Sequence, residues 1–373
     1  VVRFKAEGND LIYTLAFATA GLSLVEAFIG ALQLIRLQGG FVFSSLSAGD
    51  LVVGTLGTNS HLFATKMLFQ GLFLVALWPQ GRRMGVRRAN LWLAGGLAAF
   101  AGAMLASALA ATVLFFATVF GWQLWLRAKT VFARLQRGVS RFTVSARALG
   151  FSLASIFLVG LLVWLFVVTQ QRNVTLTVYT LQRLAALDLS DRIRFQKIIS
   201  FRESVDKVLL DNPKNALVGL GLGRYSSRAA MILSGGYLRV HPSYIPISRS
   251  PETDAYIYPV WNPETWSAFG GSIMGMPTNS IQGVLIEFGV VGTALLIGYF
   301  WTLGRRARAR ARKLSAGAGL QKALLSMVPM LILCLWMVSV TDLWLEYSSL
   351  VSFIYLIIVV GLSARPGEAN LTA

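Results

Sequence analysis

Long apolar runs alternate with short basic segments along most of the chain, and one extended polar segment interrupts them. The apolar runs are continuous and about 17 to 25 residues long, which is typical of transmembrane helices and unlike the short alternating strands of a membrane barrel. The pattern predicts an all-α polytopic membrane protein of about eight spans. The spans fall at about 11–37, 61–79, 91–105, 107–126, 149–169, 280–302, 323–341 and 345–364.

Composition supports the same class, because the chain is 55% hydrophobic and only 13% charged, with a mean hydropathy of +0.63. A soluble domain of this size could not bury so much apolar surface. The predicted organisation is N-terminal transmembrane helices over 1–169, one large loop over 170–279, and C-terminal transmembrane helices over 280–373. The chain begins at Val1 without a Met, which is compatible with a missing N-terminal part.

Few residues could bind a metal or form a disulfide. Cys334 is the single cysteine and lies in an apolar run, where we interpret it as a small buried side chain. The two histidines, His61 and His241, are too few for a His-rich site. We expect no metal and no cofactor.

The basic segments predict the orientation. Most of the Lys and Arg of the short loops lie at 80–90, 127–148 and 303–322, which eight spans place on one side with both termini. The positive-inside rule makes that side cytoplasmic, so these cations need no role beyond topology and contact with anionic lipids, and we expect no nucleic-acid partner. The 170–279 loop is then extracytoplasmic. Its excess of Arg and Lys is not required by topology and calls for an anionic partner.

Within the large loop, the spacing of apolar residues predicts a helix from Leu181 to Leu210, ended by Asp211-Asn212-Pro213. Gly219, Gly221 and Gly223 follow it. They superficially match a nucleotide-binding loop, but the strand–turn–helix context is missing. A glycine-rich backbone that lets a headgroup approach closely remains a reasonable interpretation. Five prolines over 242–263 make a helix or strand there unexpected.

Arginines are the main candidate ligand-binding groups of the loop. A guanidinium forms two parallel charge-assisted hydrogen bonds with phosphate oxygens, so several arginines in one outward loop favour a diphosphate ligand. The alternative is that each arginine only reaches phospholipid headgroups. The candidates are Arg192, Arg194, Arg202, Arg224, Arg228 and Arg239.

The order of these features resembles the O-antigen ligase and O-antigen polymerase superfamily of bacterial envelope glycosyltransferases. The resemblance rests on Arg192-Ile-Arg-Phe, on Asn212-Pro213 with Gly219-Leu-Gly-Leu-Gly223, and on Thr278-Asn279 with Glu287-Phe-Gly-Val-Val-Gly292. Ala31-Leu-Gln33 and Gly54-Thr-Leu-Gly-Thr-Asn59 also match family features. The resemblance covers most of the chain, although each motif is degenerate.

Two departures from the family pattern bear on the activity. Thr278 stands where ligases usually carry a His before the Asn, and Leu105-Ala-Ser-Ala-Leu109 lacks the arginine of a Ser-Gly-Ser-Arg-like segment. Both favour a polymerase, or a divergent exopolysaccharide enzyme, over a ligase.

The resemblance implies metal-independent transfer of a glycan from a polyprenyl-diphosphate donor to a sugar hydroxyl, on the outer face of the bacterial cytoplasmic membrane. Partners would be the lipid-linked glycan, membrane lipids and other polysaccharide assembly proteins. The six arginines would hold the diphosphate. His241 would be the base that takes the proton of the acceptor hydroxyl, with Glu252, Asp254 and Glu264 in reserve. The alternative is that His241 is a plain loop residue. Gly219, Gly221, Gly223 and Asn279 would shape the loop.

Buried acids within spans carry two interpretations. Glu287, next to Gly289, is a functional hypothesis by default, and its alternative is a hydrogen bond in helix packing. Glu26 has the same two interpretations. A transporter or flippase is the leading non-enzyme hypothesis. It predicts charges spread through several spans and broken helices in related halves, whereas the predicted spans are almost free of charge apart from Glu26, Lys66 and Glu287.

Overall fold

A computed structural model gives the fold of most of the chain. It describes residues 8–38, 52–56, 59–106, 109–135, short pieces between 178 and 190, 195–227, 230, 250–257, 259, 278–315, 318–341, 345 and 348–363. These residues form helices and turns and no strand. The predicted span at 149–169 lies outside the described residues.

Seven long helices correspond to seven of the predicted spans. They are α1 (Gly8–Gln38), α2 (Ser60–Arg83), α3 (Asn90–Leu105), α4 (Leu109–Leu135), α8 (Ser280–Lys313), α9 (Gly319–Val338) and α10 (Ser348–Ser363). Four of them, α1, α2, α8 and α9, contain a stretch long and apolar enough to cross a membrane. The apolar parts of the other three are shorter, at Asn90–Leu105, Ala111–Gln123 and Leu350–Leu362. The described part of the chain is therefore helical, with four candidate membrane-spanning helices.

Short elements join these helices. A 3₁₀ turn at Gly54–Leu56 precedes α2, and α5 (Gln196–Glu203) continues directly into a π-helix at Ser204–Leu210. Two six-residue helices follow, α6 (Pro213–Val218) and α7 (Pro251–Tyr256).

The main core forms around α2, whose phenylalanines are fully buried between neighbouring helices. The Phe69 ring packs edge-on to Phe115 of α4, and the Phe73 ring packs edge-on to Phe353 of α10. Small residues bring α1 and α3 into close contact, since a Cβ on Gly95 would lie 2.7 Å from the Ala20 Cα. Close backbone approach at small residues is how helices pack when lipid offers no hydrophobic driving force between them.

The bundle has a basic end and an opposite end. At the basic end the Gln80 side chain meets Gly319, and the Arg308 guanidinium lies 5.3 Å from the Trp122 ring centre. Basic residues at the ends of α2 and α8 gather here. At the opposite end, Lys197 Nζ donates to the Thr341 carbonyl and Leu345 N donates to Ser280 Oγ at 3.0 Å. The α5–α6 segment therefore lies at the end of the bundle away from the arginine-rich helix ends.

Helix boundaries differ from the predicted spans mainly at the basic end. The α8 helix runs on to Lys313 instead of ending at 302, and α4 runs to Leu135 instead of 126. Cations on these turns continue the helix because each backbone hydrogen bond is still made within it, and a polar helix face is soluble outside the apolar layer.

The predicted helix from Leu181 to Leu210 is wrong over its middle part. Asp188 and Ser190 lie outside helix, where the Asp188 carboxylate accepts the Ser190 N–H at 3.0 Å, and Phe195 precedes the first turn of α5. Hydrogen bonds from Ser190 hold the pKa of Asp188 below its usual range. A short Asp side chain that bonds the backbone two residues on competes with helix formation. The predicted end at Asp211-Asn212-Pro213 is confirmed.

The expectation of no helix over 242–263 is wrong for the six residues of α7. Pro251 occupies the first turn, where its missing N–H costs nothing, and Ser250 caps the helix by accepting the Thr253 N–H at 3.1 Å.

Candidate functional site

The candidate site is built where α8 breaks. Gly289 has φ 66° and ψ −175°, a conformation open essentially to glycine alone, and it divides α8 into a nine-residue part before it and a longer part after it. Asn279 begins the first part as an N-cap, with its side chain accepting the Gln282 N–H at 2.9 Å. The break frees the Ile286 and Glu287 carbonyls from their usual partners one turn ahead.

The glycine-rich loop after α6 fills the break. Leu220 N donates to the Ile286 carbonyl and Gly221 N donates to the Glu287 carbonyl, both at 3.0 Å. Gly219 lies against Gly289 so closely that a Cβ on either residue would come within 2.5 Å of the other's backbone nitrogen. The sequence motif of three glycines and the Glu-x-Gly motif thus meet backbone to backbone.

Glu287 fastens the same loop through its side chain. Its Oε2 accepts the Gly223 N–H at 2.6 Å, and its Oε1 accepts the N–H groups of Tyr225, Ser226 and Ser227 at 2.9–3.1 Å. The carboxylate is 2% exposed. Gly219, Gly221 and Gly223 all have positive φ, between 69° and 98°, and the N–H groups that converge on the carboxylate are those of Gly223 and of the three residues 225–227. Such concave backbone binds anions, and here the anion is the protein's own carboxylate.

This arrangement decides between the interpretations of the glycine loop and of Glu287. The N–H groups of Gly219, Gly221 and Gly223 all have acceptors within the protein, so these three glycines do not offer them to a headgroup. Glu287 does make a hydrogen bond in packing, but it bonds a loop and not a neighbouring helix. The described residues therefore give Glu287 a positioning role.

A buried polar network also connects α8, α5 and the π-helix to the loop. Gln282 Nε2 donates to Ser200 Oγ and Ser204 Oγ, both at 2.8 Å, and Ser204 Oγ lies 2.5 Å from the Tyr225 hydroxyl. Burial raises the pKa of the Tyr225 phenol, with the Ser204 hydrogen bond opposing the shift only in part. The phenol therefore stays protonated and serves as a hydrogen-bonding hydroxyl. Thr278 Oγ1 adds a weaker bond to the Ser226 carbonyl at 3.3 Å.

This network was missed at the sequence level. Ser200 and Ser204 stand four residues apart on one face of a helix, and Gln282 falls on the buried side of a predicted span. Polar side chains at helical spacing on an otherwise apolar face were the available signal.

Two of the six candidate arginines have described side chains or backbone. Arg224 directly follows Gly223 of the loop and is exposed, with no ion pair to any carboxylate of the described residues. The Arg202 guanidinium is 76% exposed and lies 3.5 Å from Asp206 in an i,i+4 pair, which adds little stability. Arg192, Arg194, Arg228 and Arg239 lie outside the described residues, as does His241.

The two described reserve acids lie on the short helix α7. Glu252 is partly buried and Asp254 is exposed, both in the first helical turn, where negative side chains are favoured by the helix dipole. Thr253 between them donates through Oγ1 to the Tyr225 carbonyl at 2.8 Å. The loop with Arg224 and helix α7 are thereby brought together.

A second, similar arrangement holds the segment before α2. Glu26 of α1 accepts the Thr55 N–H at 2.8 Å and the Thr55 hydroxyl, while Gln33 Oε1 accepts the N–H groups of Val53 and Gly54 at 3.0 and 2.9 Å. Lys66 Nζ of α2 lies 3.8 Å from Glu26 Oε1. The Ala31-Leu-Gln33 and Gly54-Thr features of the sequence are thus in direct contact.

Comparisons of the chain with protein-family models, with curated proteins and with solved structures found no match. The resemblance to the O-antigen ligase and polymerase superfamily therefore rests on the sequence motifs alone.

Proposed function

We propose that the chain is an integral-membrane glycosyltransferase that moves a glycan from a polyprenyl-diphosphate donor to a sugar hydroxyl. In this proposal it crosses the bacterial cytoplasmic membrane with about eight spans in this sequence, and the 170–279 loop is extracytoplasmic. The reaction assigned to it is that of an O-antigen or exopolysaccharide polymerase. Ligase activity of the same superfamily is the nearest alternative.

The distribution of charge supports this orientation. The basic turns at the ends of α2 and α8 share one end of the bundle, and the α5–α6 segment lies at the other. Positive-inside topology makes the basic end cytoplasmic, so the glycine loop faces the outer leaflet. On that side a transferase has no nucleotide sugar and needs a donor delivered in the lipid.

The observation that carries the proposal is the assembly of two distant motifs into one rigid unit. Four N–H groups of residues 223–227 converge on Glu287, so the loop that bears Arg224 is fixed to a membrane helix. A guanidinium on a rigid mount loses less conformational entropy on binding than one on a free loop. Arg224 is therefore the described residue best suited to hold the diphosphate of a membrane-bound donor.

The chemistry assigned to the site is a substitution at the anomeric carbon of the donor. The acceptor hydroxyl oxygen forms the new glycosidic bond, and its proton passes to a base. The bond from the anomeric carbon to the diphosphate breaks, and the electron pair leaves with the diphosphate. Arginines that bind the diphosphate stabilise this developing negative charge, which is usually the largest catalytic contribution.

Diphosphate binding tests the proposal on the purified full chain. Binding of undecaprenyl diphosphate and undecaprenyl monophosphate is measured for the wild type, Arg224→Lys and the matched control Lys214→Gln. We expect Arg224→Lys to weaken diphosphate binding about tenfold, because a lysine cannot form the paired hydrogen bonds, and monophosphate binding to change less. Lys214 is an exposed cation on the same segment, and its loss should change binding by less than about threefold.

A cellular readout completes the test. Arg192, Arg194, Arg202 and Arg224 are each replaced by Ala, and glycan chain length is compared at equal amounts of membrane protein. Shorter or absent glycan in at least one variant supports the transferase. Unchanged glycan in all four, together with equal diphosphate binding in the Arg224→Lys protein, contradicts it.

A transporter or flippase is the second candidate, and the broken helix α8 favours it, because discontinuous helices often form transport sites. In such sites the freed backbone groups bind the transported ion. Here the freed carbonyls of Ile286 and Glu287 accept N–H groups from the chain's own loop. The break is thus already occupied, which leaves the transferase as the better supported function.

A further inference from the structure

The segment from Leu210 to Leu222 carries an unusual surface for a loop outside a membrane. Four of its large apolar side chains are exposed, and α6 within it has no buried residue. The exposed fractions are 68% for Leu210, 57% for Leu217, 58% for Val218 and 71% for Leu222. Large exposed apolar patches mark interaction surfaces.

Continuity with α8 indicates what covers this surface. The Leu217 carbonyl lies beside Gly289, and the residues of α8 that follow the break, Val290, Val291 and Leu295, are also exposed and apolar. An apolar surface on a membrane helix faces lipid. The outward face of α6 and the loop lies next to that lipid-facing surface.

The length of α8 also indicates that lipid covers the outward face of α6 and the glycine loop. From Val290 to Gly304, the last residue before the cations, there are fifteen residues, which rise about 22 Å. The hydrocarbon core is about 30 Å thick, so the remaining roughly 8 Å must be crossed at the level of Gly289 and the turns before it. At that level α8 is enclosed by the glycine loop and by α6. Tilting the helix would only increase the length required.

Most backbone N–H groups of residues 219–227 have protein acceptors, as irregular chain at membrane depth requires. Non-helical backbone is tolerated there only where its polar groups are satisfied by protein. Gly219, Leu220, Gly221, Gly223, Tyr225, Ser226 and Ser227 all donate their N–H groups to protein acceptors, mostly on α8. The buried acid of Glu287 thus supplies acceptors where water is absent.

The order of polar and apolar residues along this segment is that of a chain that enters a membrane and leaves it on the same side. Asp211, Asn212 and Lys214 are exposed and polar, Leu217, Val218 and Leu222 are exposed and apolar, and Arg224 is exposed and basic. A segment that enters a bilayer and leaves on the same side has this sequence of polarities.

We propose that Asn215–Leu222 is a re-entrant segment in the outer half of the bilayer, with Leu217, Val218 and Leu222 in contact with lipid acyl chains. Arg224 then lies at the level of the phosphates. The outer side rests on the orientation proposed above, whereas the contact with lipid requires only that the chain spans a membrane and stands apart from the transferase chemistry.

Spin labelling of the full chain in liposomes tests the proposal. Cys334 is the single cysteine and is buried, so Cys334→Ser provides a background in which one new cysteine is labelled. Labels are placed at Leu217, Val218 and Leu222, with Val291 as the lipid-facing control and Lys214 as the aqueous control. Collision with oxygen, which concentrates in hydrocarbon, is compared with collision with a water-soluble nickel chelate.

We expect the oxygen-to-nickel ratio at Leu217, Val218 and Leu222 to match that at Val291 and to exceed that at Lys214. Ratios equal to that at Lys214 would overturn the proposal, because the segment would then face water. Exclusion of both reagents would also overturn it, because another part of the chain would then cover the surface. Three independent positions and elution as a single species guard against one variant that fails to fold. Neither diphosphate binding nor glycan length enters this measurement, so its failure is distinct from failure of the proposed function.

Discussion

Glu26 and Glu287 are two buried acids of long apolar helices, and each accepts hydrogen bonds from a segment outside its own helix. Each holds a segment that begins with a positive-φ glycine, Gly54 or Gly223. Glu26 accepts two hydrogen bonds from Thr55 and has the Lys66 ammonium 3.8 Å away. Glu287 accepts four backbone N–H groups and has no basic side chain within ion-pair distance among the described residues.

The difference shows two ways to keep a carboxylate inside a protein. A nearby cation supplies one strong Coulomb interaction, which depends on a long side chain staying in place. Converging N–H groups distribute the stabilisation over a short stretch of backbone, which must itself be held in one conformation. Glu287 therefore holds its loop at four backbone positions, whereas Glu26 holds the 52–56 segment at Thr55 alone.

Replacing each acid by alanine should distinguish the two ways of stabilising a buried carboxylate, with the larger loss of stability at Glu287. Glu287→Ala leaves two buried and two partly buried N–H groups without acceptors, each buried one costing about 1–3 kcal/mol. We expect the temperature at which half of the detergent-solubilised protein aggregates to fall by about 10 °C or more.

Glu287→Gln keeps one accepting oxygen and should fall between the wild type and Glu287→Ala. Glu26→Ala removes fewer hydrogen bonds and should be the milder alanine variant. An equal or greater loss for Glu26→Ala would contradict the comparison.

The second test acts on the backbone that Glu287 requires. In Gly289→Ala the new Cβ would meet Gly219 N and the Leu217 carbonyl at 2.5 Å, and the φ of 66° is strained for any residue with a side chain. We expect a loss of about 3 kcal/mol or more from clash and strain together, measured as a lower unfolding temperature.

Gly298→Ala is the matched control on the same helix, where a Cβ meets nothing within 4 Å. Because alanine stabilises a helix interior by about 0.5–1 kcal/mol relative to glycine, this variant should be at least as stable as the wild type. Equal behaviour of the two variants would mean that the break is not required.

The smallest effect is expected for the Glu26–Lys66 pair. Glu26→Gln and Lys66→Met are measured singly and together, and the double variant should be less destabilised than the sum of the singles by about 1 kcal/mol. The same cycle with Glu287→Gln in place of Glu26→Gln should show no coupling. Coupling between Lys66 and Glu287 would contradict the separation of the two sites.

The sequence predicted the helices better than it predicted their irregularities. Continuous apolar runs gave seven helices near the expected positions, because burial in lipid imposes length and composition on each span independently. The predicted 181–210 helix was wrong around Asp188, where local side-chain bonding competes with the helix. The break at Gly289 was not predicted, since one glycine in an apolar run does not indicate a left-handed conformation.

The candidate site could also be predicted from the sequence only in part. Glycines at 219, 221 and 223 and an acid at 287 could be singled out from the chain alone, but the sequence suggested an external headgroup for the glycine loop. Only the fold places Glu287 within it. Sequence could not pair them because about sixty residues separate the loop from the acid, and contacts at that distance depend on the global packing.

Residue order and composition by themselves determined that the chain is apolar and helical, with helices long enough to cross a membrane and basic residues at helix ends, because these properties follow from each segment's transfer between water and lipid. Tertiary structure decided which anion fills the glycine loop, why α8 can break at Gly289, and which side of α6 is left apolar and exposed. Those outcomes depend on satisfying backbone hydrogen bonds between segments, and no single segment can do that alone.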